Sequence, residues 1–474
     1  MEEAYNLVVI GAGPGGYVAA VRAAQLGMRV AVVEREKVGG VCLHKGCIPS
    51  KTLLKSAEVF DTVRCAGDYG ILTGEAKVDL IRIQERKRGI VSRLHKGVQY
   101  LLRKHNIEVY HGTGRIMGAS IFSPQTGVVT VEQSDGKGGV LKPKHLIIAT
   151  GSRPRELKGV TADGNHILYS DHMLELDRLP DSVVIVGGGA IGVEWASMLS
   201  DFGVRVTIVE SADRILPFED EDISREMTRL LQKRGVQLLT QTNVQPESVT
   251  VEQGAVSLHI GCGGERQKLT AERVLLSVGR EANVDDIGLS NTDIQVVNGF
   301  IEVNEWMQTS EPHVYAIGDV VGGYQLAHVA SREGVIAVEH MAGLNPEPLN
   351  PRFVPRCTYS RPEVASVGLS EQEASALGYA TKTGNISFRS MSKALVHGDA
   401  DGFVKIVADA ETDDVLGVHM IGSRVTDLIS EAGLARLLDA TPWELSQVVR
   451  PHPSLSEALG EAALDVEGAS IHGA

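Results

Sequence analysis

One pattern, written twice, constrains this chain more than any other feature. The apolar run at 7–10 (LVVI) has the character of a strand buried on both faces. A GAGPGG turn comes next, with Gly11, Gly13 and Gly16 in G-x-G-x-x-G spacing. An alanine-rich helix then runs to about residue 26, and a second strand at 30–33 ends on Glu34. The same order returns at 183–186, with Gly187, Gly189 and Gly192 in GGGAIG, a helix to about 202, and a strand at 204–209 ending on Glu210. First glycine and closing acid are both displaced by 176 residues between the copies.

Each position has a physical reason. The first glycine permits the tight turn, the second lets backbone approach a pyrophosphate, and the third lets helix and strand pack closely. The helix N-terminus offers unpaired N–H groups and partial positive charge to phosphates. The acid accepts hydrogen bonds from a ribose hydroxyl, and at Glu210 it repels a 2′-phosphate. A single such loop can be only a glycine turn; two copies in register, with strand, helix and acid, describe two dinucleotide sites.

Smaller echoes extend the duplication. LIIATGSR at 146–153 and VLLSVGR at 274–280 are buried strands closing on Gly151 and Gly279, 128 residues apart. VVTVEQ at 128–133 resembles SVTVEQ at 248–253, and each reads as one strand of a meander. The first copy is therefore longer by 48 residues, all placed after Glu34. Residues 1–150 form one nucleotide-binding unit and 151–280 a second, inserted after the first unit's closing strand. Residues 281–350 return to the first, with a strand at 314–317 followed by Gly318 and Asp319. Prolines 346, 348, 351 and 355 mark a linker. Beyond it, 401–407 and 415–420 alternate around a Glu-Thr-Asp-Asp turn, predicting an antiparallel hairpin, with helices at 424–438 and 442–449. The expected fold is α/β: two Rossmann-like dinucleotide-binding domains plus a C-terminal α+β domain at 351–474.

Composition narrows the function. Glycine is 52 of 474 residues, above the usual ~7%, without a collagen period. A net charge of −14 repels phosphate backbones, and 4% aromatic residues leave little for base stacking, so no nucleic-acid partner is expected. No apolar run reaches the ~20 residues of a membrane span. The first ten residues predict neither a secretory nor a transit leader. Five cysteines make no disulfide scaffold. A cytoplasmic protein is expected.

The chemistry concentrates in GGVCLHKGCIPSK at 39–51. Pro49 can open a helix, placing Cys47 and Lys51 one turn apart on one face. A thiol at a helix N-terminus beside an ammonium has a lowered pKa, which suits a redox cysteine. Zinc would need two further ligands, and no CxxC or HxxxH supplies them; a structural disulfide is the other reading, uncommon in a cytosolic protein. Near the end, His452 lies between two prolines in RPHPSLSE, and Glu457 can orient one imidazole nitrogen. Alone, such a pair is more often structural; with a redox cysteine pair it reads as a base. A thiol pair and a nicotinamide exchange electrons well only through a relay, and a flavin serves as one.

At this point the chain resembles the flavin-disulfide oxidoreductases over essentially its full length. The motifs that carry the resemblance are GAGPGG at 11–16, GGVCLHKGCIPSK at 39–51, ATG at 149–151, GGGAIGVEWAS at 187–197, AIGD at 316–319, QLAHVA at 325–330 and HPSLSE at 452–457. The resemblance implies FAD in the first unit: Gly11, Gly13 and Gly16 at its pyrophosphate, Glu34 at its ribose, Lys51 at the flavin ring and Gly114 at the adenine side. Asp319 would close over the ribityl-phosphate region, with Ala327 backing the flavin. For Asp319 a helix N-cap is the plainer alternative. The second unit would bind NAD through Gly187, Gly189, Gly192, Glu210, Val244 and Gly279, and Glu194 would pair with Lys51. It further implies a Cys42–Cys47 disulfide and His452 as base, assisted by Glu457 and serving the opposite subunit of a homodimer through the 351–474 dimerisation domain. The implied substrate is a dihydrolipoyl group on the acyltransferase subunit of a 2-oxo acid dehydrogenase complex, or on the carrier protein of glycine cleavage. No metal is implied. Two alternatives stand beside it: a glutathione-type disulfide reductase, and a mainly structural component of such a complex.

Overall fold

The computed structural model describes residues 2–118, 127–133, 138–262 and 265–473. The chain divides into two compact units. One comprises Met1–Thr52, Ile81–Arg155 and Arg280–Leu349; the other comprises Leu53–Leu80, Glu156–Gly279 and Asn350–Ala474.

In the first unit five parallel strands lie in the order Glu108–His111, Val30–Glu34, Glu2–Ile10, Gly138–Ile148 and Val314–Ala316. Register aligns their carboxyl ends: Ile10 pairs with Val33 and with Ile148, and Ile148 pairs with Ala316. An open parallel sheet binds ligands outside these ends. Val8, Val9, Ala31, Val32, Ile147 and Ile148 are wholly buried, as strands covered on both faces require. The strand Gly138–Ile148 is longer than its apolar run. Its early part extends into an antiparallel meander with Val128–Glu132, which pairs on to Thr113–Met117. The helix Pro14–Gln25 buries Ala19, Ala20 and Ala23. Its small residues let Ala327–Met341 approach so closely that a Cβ on Gly334 would stand 2.8 Å from the Gly15 carbonyl.

The second unit repeats the plan with Gln237–Leu239, Arg205–Val209, Ser182–Val186, Arg273–Leu276 and Ile167–Leu168, all parallel. Its meander, Asn243–Glu252, Ala255–Cys262 and Glu265–Ala271, is a separate three-stranded sheet. The same unit holds an antiparallel sheet ordered Arg356–Thr358, Glu363–Gly368, Val415–Gly422, Phe403–Asp409 and Thr381–Ser387. Helices Val425–Leu437 and Glu457–Asp465 share its core through Ile429, Ala432, Leu459 and Ala462.

The hairpin expected near 401–420 forms, as Phe403–Asp409 and Val415–Gly422. Its alternation of inside and outside does not hold: every residue of Val415–Gly422 is buried. The polar positions face other protein groups instead of water. Lys405, 2% exposed, places its ammonium 3.1 Å from Asp220, 2.7 Å from Asp222 and 2.7 Å from Glu371. His419, opposite it in register, bonds the Leu369 carbonyl. Burial of a charge this complete is tolerable only with such partners.

Candidate active site

The two glycine turns are built by the same bonds. Gly11 N–H donates to the Val33 carbonyl at 2.8 Å, and Gly187 N–H to the Val209 carbonyl at 2.9 Å. A Cβ on Gly16 would stand 1.9 Å from the Gly11 carbonyl oxygen, and one on Gly192 would stand 2.0 Å from that of Gly187. Those contacts are closed to any side chain. A Cβ on Gly13 or Gly189, by contrast, would meet no heavy atom of the described residues within 4 Å. The open side of each turn, at the amino end of its helix, is the space a pyrophosphate needs. The acids are locked in place by backbone. Glu34 accepts from Ala12 N–H and Glu36 N–H, each at 2.8 Å. Glu210 accepts from Gly188 N–H at 2.5 Å and Ala212 N–H at 2.7 Å.

Other first-unit positions cluster at the carboxyl edge of its sheet. Gly114 lies on Thr113–Met117, where a Cβ would press 3.2 Å from Val33 and 3.3 Å from Ile10, so its smallness also serves packing. Asp319 is not a helix N-cap: Ile317 caps the short turn Gly318–Val321 in which Asp319 lies. Asp319 instead accepts a hydrogen bond from Ser152 Oγ. Arg280 Nε donates to Ser152 Oγ at 2.7 Å and stands 3.9 Å from Asp319. Ala327 opens the helix Ala327–Met341.

Sequence reasoning passed over this Ser152–Arg280–Asp319 group, although its signal was present. Ser152 and Arg280 are the residues after the two echoing glycines, and the strands they begin, Ser152–Pro154 and Arg280–Ala282, pair with each other. It also passed over Glu333, whose carboxylate accepts from Gly318 N–H at 2.7 Å. Burial, with help from the Asp319 charge, raises Glu333 to about 6.

The cysteines sit on two consecutive helices. Cys42 is on Gly40–His44, and Cys47 begins Cys47–Arg64, with Pro49 two residues inside. Gly46 makes the corner between them; a Cβ there would meet the Val41 carbonyl at 3.2 Å. The result is a hydrogen bond between the two thiol side chains. Cys42 does not have the lowered pKa expected of a redox thiol. Its hydrogen bond to Cys47, its burial and the Cys47 charge push it up, against a smaller opposing effect of the Lys51 ammonium. Tyr17 is raised chiefly by burial and also by the Cys42 charge.

In the second unit, Val244 lies on Asn243–Glu252 opposite Ile260, packed against the unit's apolar core. Gly279 comes after Arg273–Leu276 with φ +113°, a conformation that favours glycine. Glu194 is buried on Ala190–Asp201 and accepts the Tyr359 N–H at 2.9 Å. His452 Nδ1 is 2.9 Å from Glu457 Oε1, and the other oxygen of Glu457 accepts Ser454 N–H at 2.7 Å. Against a desolvation that acts the other way, these bonds hold Glu457 below the usual carboxylate range. The His452 side chain is 70% exposed. The carboxylate thus fixes one nitrogen of an imidazole whose side chain is otherwise largely exposed.

Comparison with known proteins agrees with this geometry. The family pattern "Pyridine nucleotide-disulphide oxidoreductase" matches residues 5–334, and its "dimerisation domain" matches 354–463. A protein of Bacillus subtilis named dihydrolipoyl dehydrogenase is 57% identical over the whole of both chains. One of the same name from Zymomonas mobilis is 43% identical, again over both chains entirely. Among solved structures, LpdA from Mycobacterium tuberculosis aligns with a TM-score of 0.89 at 29% identity, covering 97% of this chain and 99% of that one. Two glycine cradles, a thiol pair and a match of this length lead to one family: the chain belongs to the pyridine nucleotide-disulphide oxidoreductases.

Proposed function

We propose that the chain oxidises dihydrolipoyl groups to lipoyl disulfide while reducing NAD⁺ to NADH, as a dihydrolipoyl dehydrogenase. The observation that carries this reading is the hydrogen-bonded pair Cys42–Cys47 beside the Lys51 ammonium, in a unit whose glycine turn and acid are duplicated in the other unit. The full-length likeness to proteins of that name supports it.

The residues fit both dinucleotides. In residues 1–150 and 281–350, the open face of Gly13 between Gly11 and Gly16, the locked carboxylate of Glu34, and Lys51, Gly114, Asp319 and Ala327 would hold FAD. In 151–280, Gly187, Gly189, Gly192, Glu210, Val244 and Gly279 would hold NAD. Glu210 disfavours NADP by charge. FAD, when bound, supplies a two-electron relay between a thiol pair and a nicotinamide.

The chain's own groups do the sulfur chemistry. His452, oriented by Glu457, takes the proton from one dihydrolipoyl thiol. The thiolate attacks Cys42 Sγ of the Cys42–Cys47 disulfide; the new S–S bond forms as the old one breaks, and Cys47 leaves as thiolate. The second substrate thiol, once deprotonated, attacks the sulfur bonded to Cys42, releasing lipoyl disulfide and the Cys42 sulfur. Two electrons and two protons have then passed from substrate to enzyme. The 351–474 domain pairs two chains, and His452 serves the cysteines of the opposite protomer. The natural substrate is the lipoyl group of an acyltransferase subunit, or of the glycine cleavage carrier protein, in the cytoplasm.

The test is direct. The purified yellow protein should form NADH from dihydrolipoamide and NAD⁺ and fail with NADP⁺. Cys42→Ser and His452→Gln should each reduce turnover by a factor on the order of 10³ or more. Faster reduction of glutathione disulfide by NADPH would overturn the assignment.

A further inference from the structure

Two histidines outside the proposed machinery converge on one backbone carbonyl beside the cysteines. His44 lies between Cys42 and Cys47 in the chain; His95 lies on the helix Leu80–Lys104. His44 Nε2 and His95 Nδ1 are each 3.0 Å from the Val38 carbonyl oxygen, and the rings meet edge to face with centroids 5.0 Å apart. A carbonyl only accepts, so each ring donates here, which fixes the tautomer of a neutral His44 as Nε2–H. Burial, with the neighbouring His95, holds His44 below the ordinary histidine range and favours that neutral form.

The same peptide unit is held from its other side. Gly39 N–H donates to the Ala12 carbonyl at 2.7 Å, inside the first glycine turn. Gly39 and Gly40 both have positive φ, +107° and +62°, and the helix carrying Cys42 starts at Gly40. A Cβ on Gly40 would stand 2.6 Å from Gly13 Cα, so the segment lies flat on the turn. Three hydrogen bonds therefore fix the Val38–Gly39 peptide: two accepted by its oxygen and one donated by its nitrogen. Its position sets where the Cys42 helix begins.

We propose that His44 and His95 are positioning residues for the redox pair: through the Val38 carbonyl they clamp the entry to the Cys42 helix against the first glycine turn and hold Cys42 within bonding reach of Cys47. The proposal rests on the reading that this pair exchanges between dithiol and disulfide. Its consequence is thermodynamic. Closing a disulfide costs less when the two sulfurs are already held together, so a loosened clamp favours the dithiol.

The experiment equilibrates flavin-loaded enzyme with mixtures of reduced and oxidised dithiothreitol. The protein disulfide and one reduced dithiothreitol give the protein dithiol and one oxidised dithiothreitol. After acid quench and alkylation, mass spectrometry counts free Cys42 and Cys47. His95→Phe keeps the ring volume and removes the donor. It should shift the equilibrium toward dithiol by roughly fivefold to tenfold, the size of a lost buried hydrogen bond. His95→Asn, whose amide nitrogen sits near the position of Nδ1, should return it to within about twofold of wild type. His44→Phe and His44→Gln form a second such pair, the Gln amide reaching as Nε2 does. These decide the matter should His95→Phe not retain flavin. No shift in the Phe variants, or equal shifts in Phe and amide variants, overturns the clamp. A wild-type pair that never forms a disulfide overturns it too, but shows first in the unmutated enzyme and thereby marks failure of the disulfide reading itself.

Discussion

The two glycine turns are near-copies in backbone and differ in the chain beyond the acid. In both, the first glycine bonds back to the second strand, and the closing strand bonds to the first: Ala149 N–H to Ile10 and Ser277 N–H to Val186, each at 2.8 Å. In both, the chain after the acid returns to donate an N–H to the carbonyl of the turn's second residue. Gly39 does so to Ala12 at 2.7 Å, and Leu216 to Gly188 at 2.8 Å. Beyond that bond they part. The first copy enters the helix of Cys42, with its strain placed on glycines. The second places the strain on Leu216, at φ +47°, and enters Glu221–Lys233, whose N-terminus is capped by Asp220. The shared part is what any dinucleotide needs. The chemistry-bearing cysteines enter the chain only beyond the bond from Gly39 to Ala12 that completes the first turn.

The largest effect should come from the third glycines. Gly16→Ala and Gly192→Ala both drive a methyl into a backbone oxygen that has no rotamer to yield. If the copies are separate devices, Gly16→Ala loses flavin and colour. Gly192→Ala should stay yellow yet lose kcat/KM for NAD⁺ by roughly a hundredfold or more. Loss of flavin in Gly192→Ala would break the comparison. Gly13→Ala and Gly189→Ala, open in the protein itself, should keep wild-type melting temperatures and weaken only their own ligand, as read by flavin retention and by KM for NAD⁺.

Next come the acids. Each carboxylate accepts a backbone N–H on both oxygens, so glutamine must turn one donor toward another. Glu210→Gln should raise KM for NAD⁺ by roughly tenfold while narrowing the preference over NADP⁺. Glu34→Gln should instead speed flavin release, measured by fluorescence of the freed flavin, with KM for NAD⁺ unmoved.

Much of this was legible in the sequence, because a glycine forced by a close approach leaves no substitute. The turns, the acids, the cysteine corner and the His452–Glu457 pair all stem from residue type and spacing. What stayed hidden depends on chain segments far apart in sequence. Val38 and His95 are 57 residues apart, Ser152 and Arg280 are 128 apart, and Gly318 meets Glu333 across a helix start. The hairpin Phe403–Asp409 and Val415–Gly422 misled for the same reason: its polar residues are satisfied by Asp220, Asp222 and Glu371 rather than by water.

Glu333 gives a smaller effect, visible in stability. Its folded pKa, about 6, lies above the unfolded value near 4.5. A raised pKa means the folded form is favoured by protonation. The contribution is fully present below about pH 4.5 and is lost as pH rises through about 6. The loss amounts to roughly 1–2 kcal/mol. Glu333→Gln keeps an acceptor for Gly318 N–H and should flatten that segment of the stability–pH curve in urea titrations. An unchanged slope between pH 4.5 and 7 would show that the carboxyl is not the titrating group. The expected loss belongs to the first cradle's neighbourhood and should not alter KM for NAD⁺.

The smallest effect separates the copies at the turn's middle residue, Ala12 against Gly188. The first copy already carries a methyl there. In the second, a Cβ on Gly188 would stand 2.8 Å from Ile215 Cγ2 and 3.3 Å from Glu210 Cβ. The obstacle is a branched side chain, not backbone, so it can yield at modest cost. Gly188→Ala should raise KM for NAD⁺ only severalfold, about 1 kcal/mol. Ile215→Ala, by removing the obstructing methyl, should recover most of that loss in the double variant, a coupling of about 0.5–1 kcal/mol. Simple additivity of the two changes would mean that the turn resists the methyl for a reason other than Ile215. The copies would then differ in the backbone itself rather than in the side chain that the latch at Leu216 brings over it.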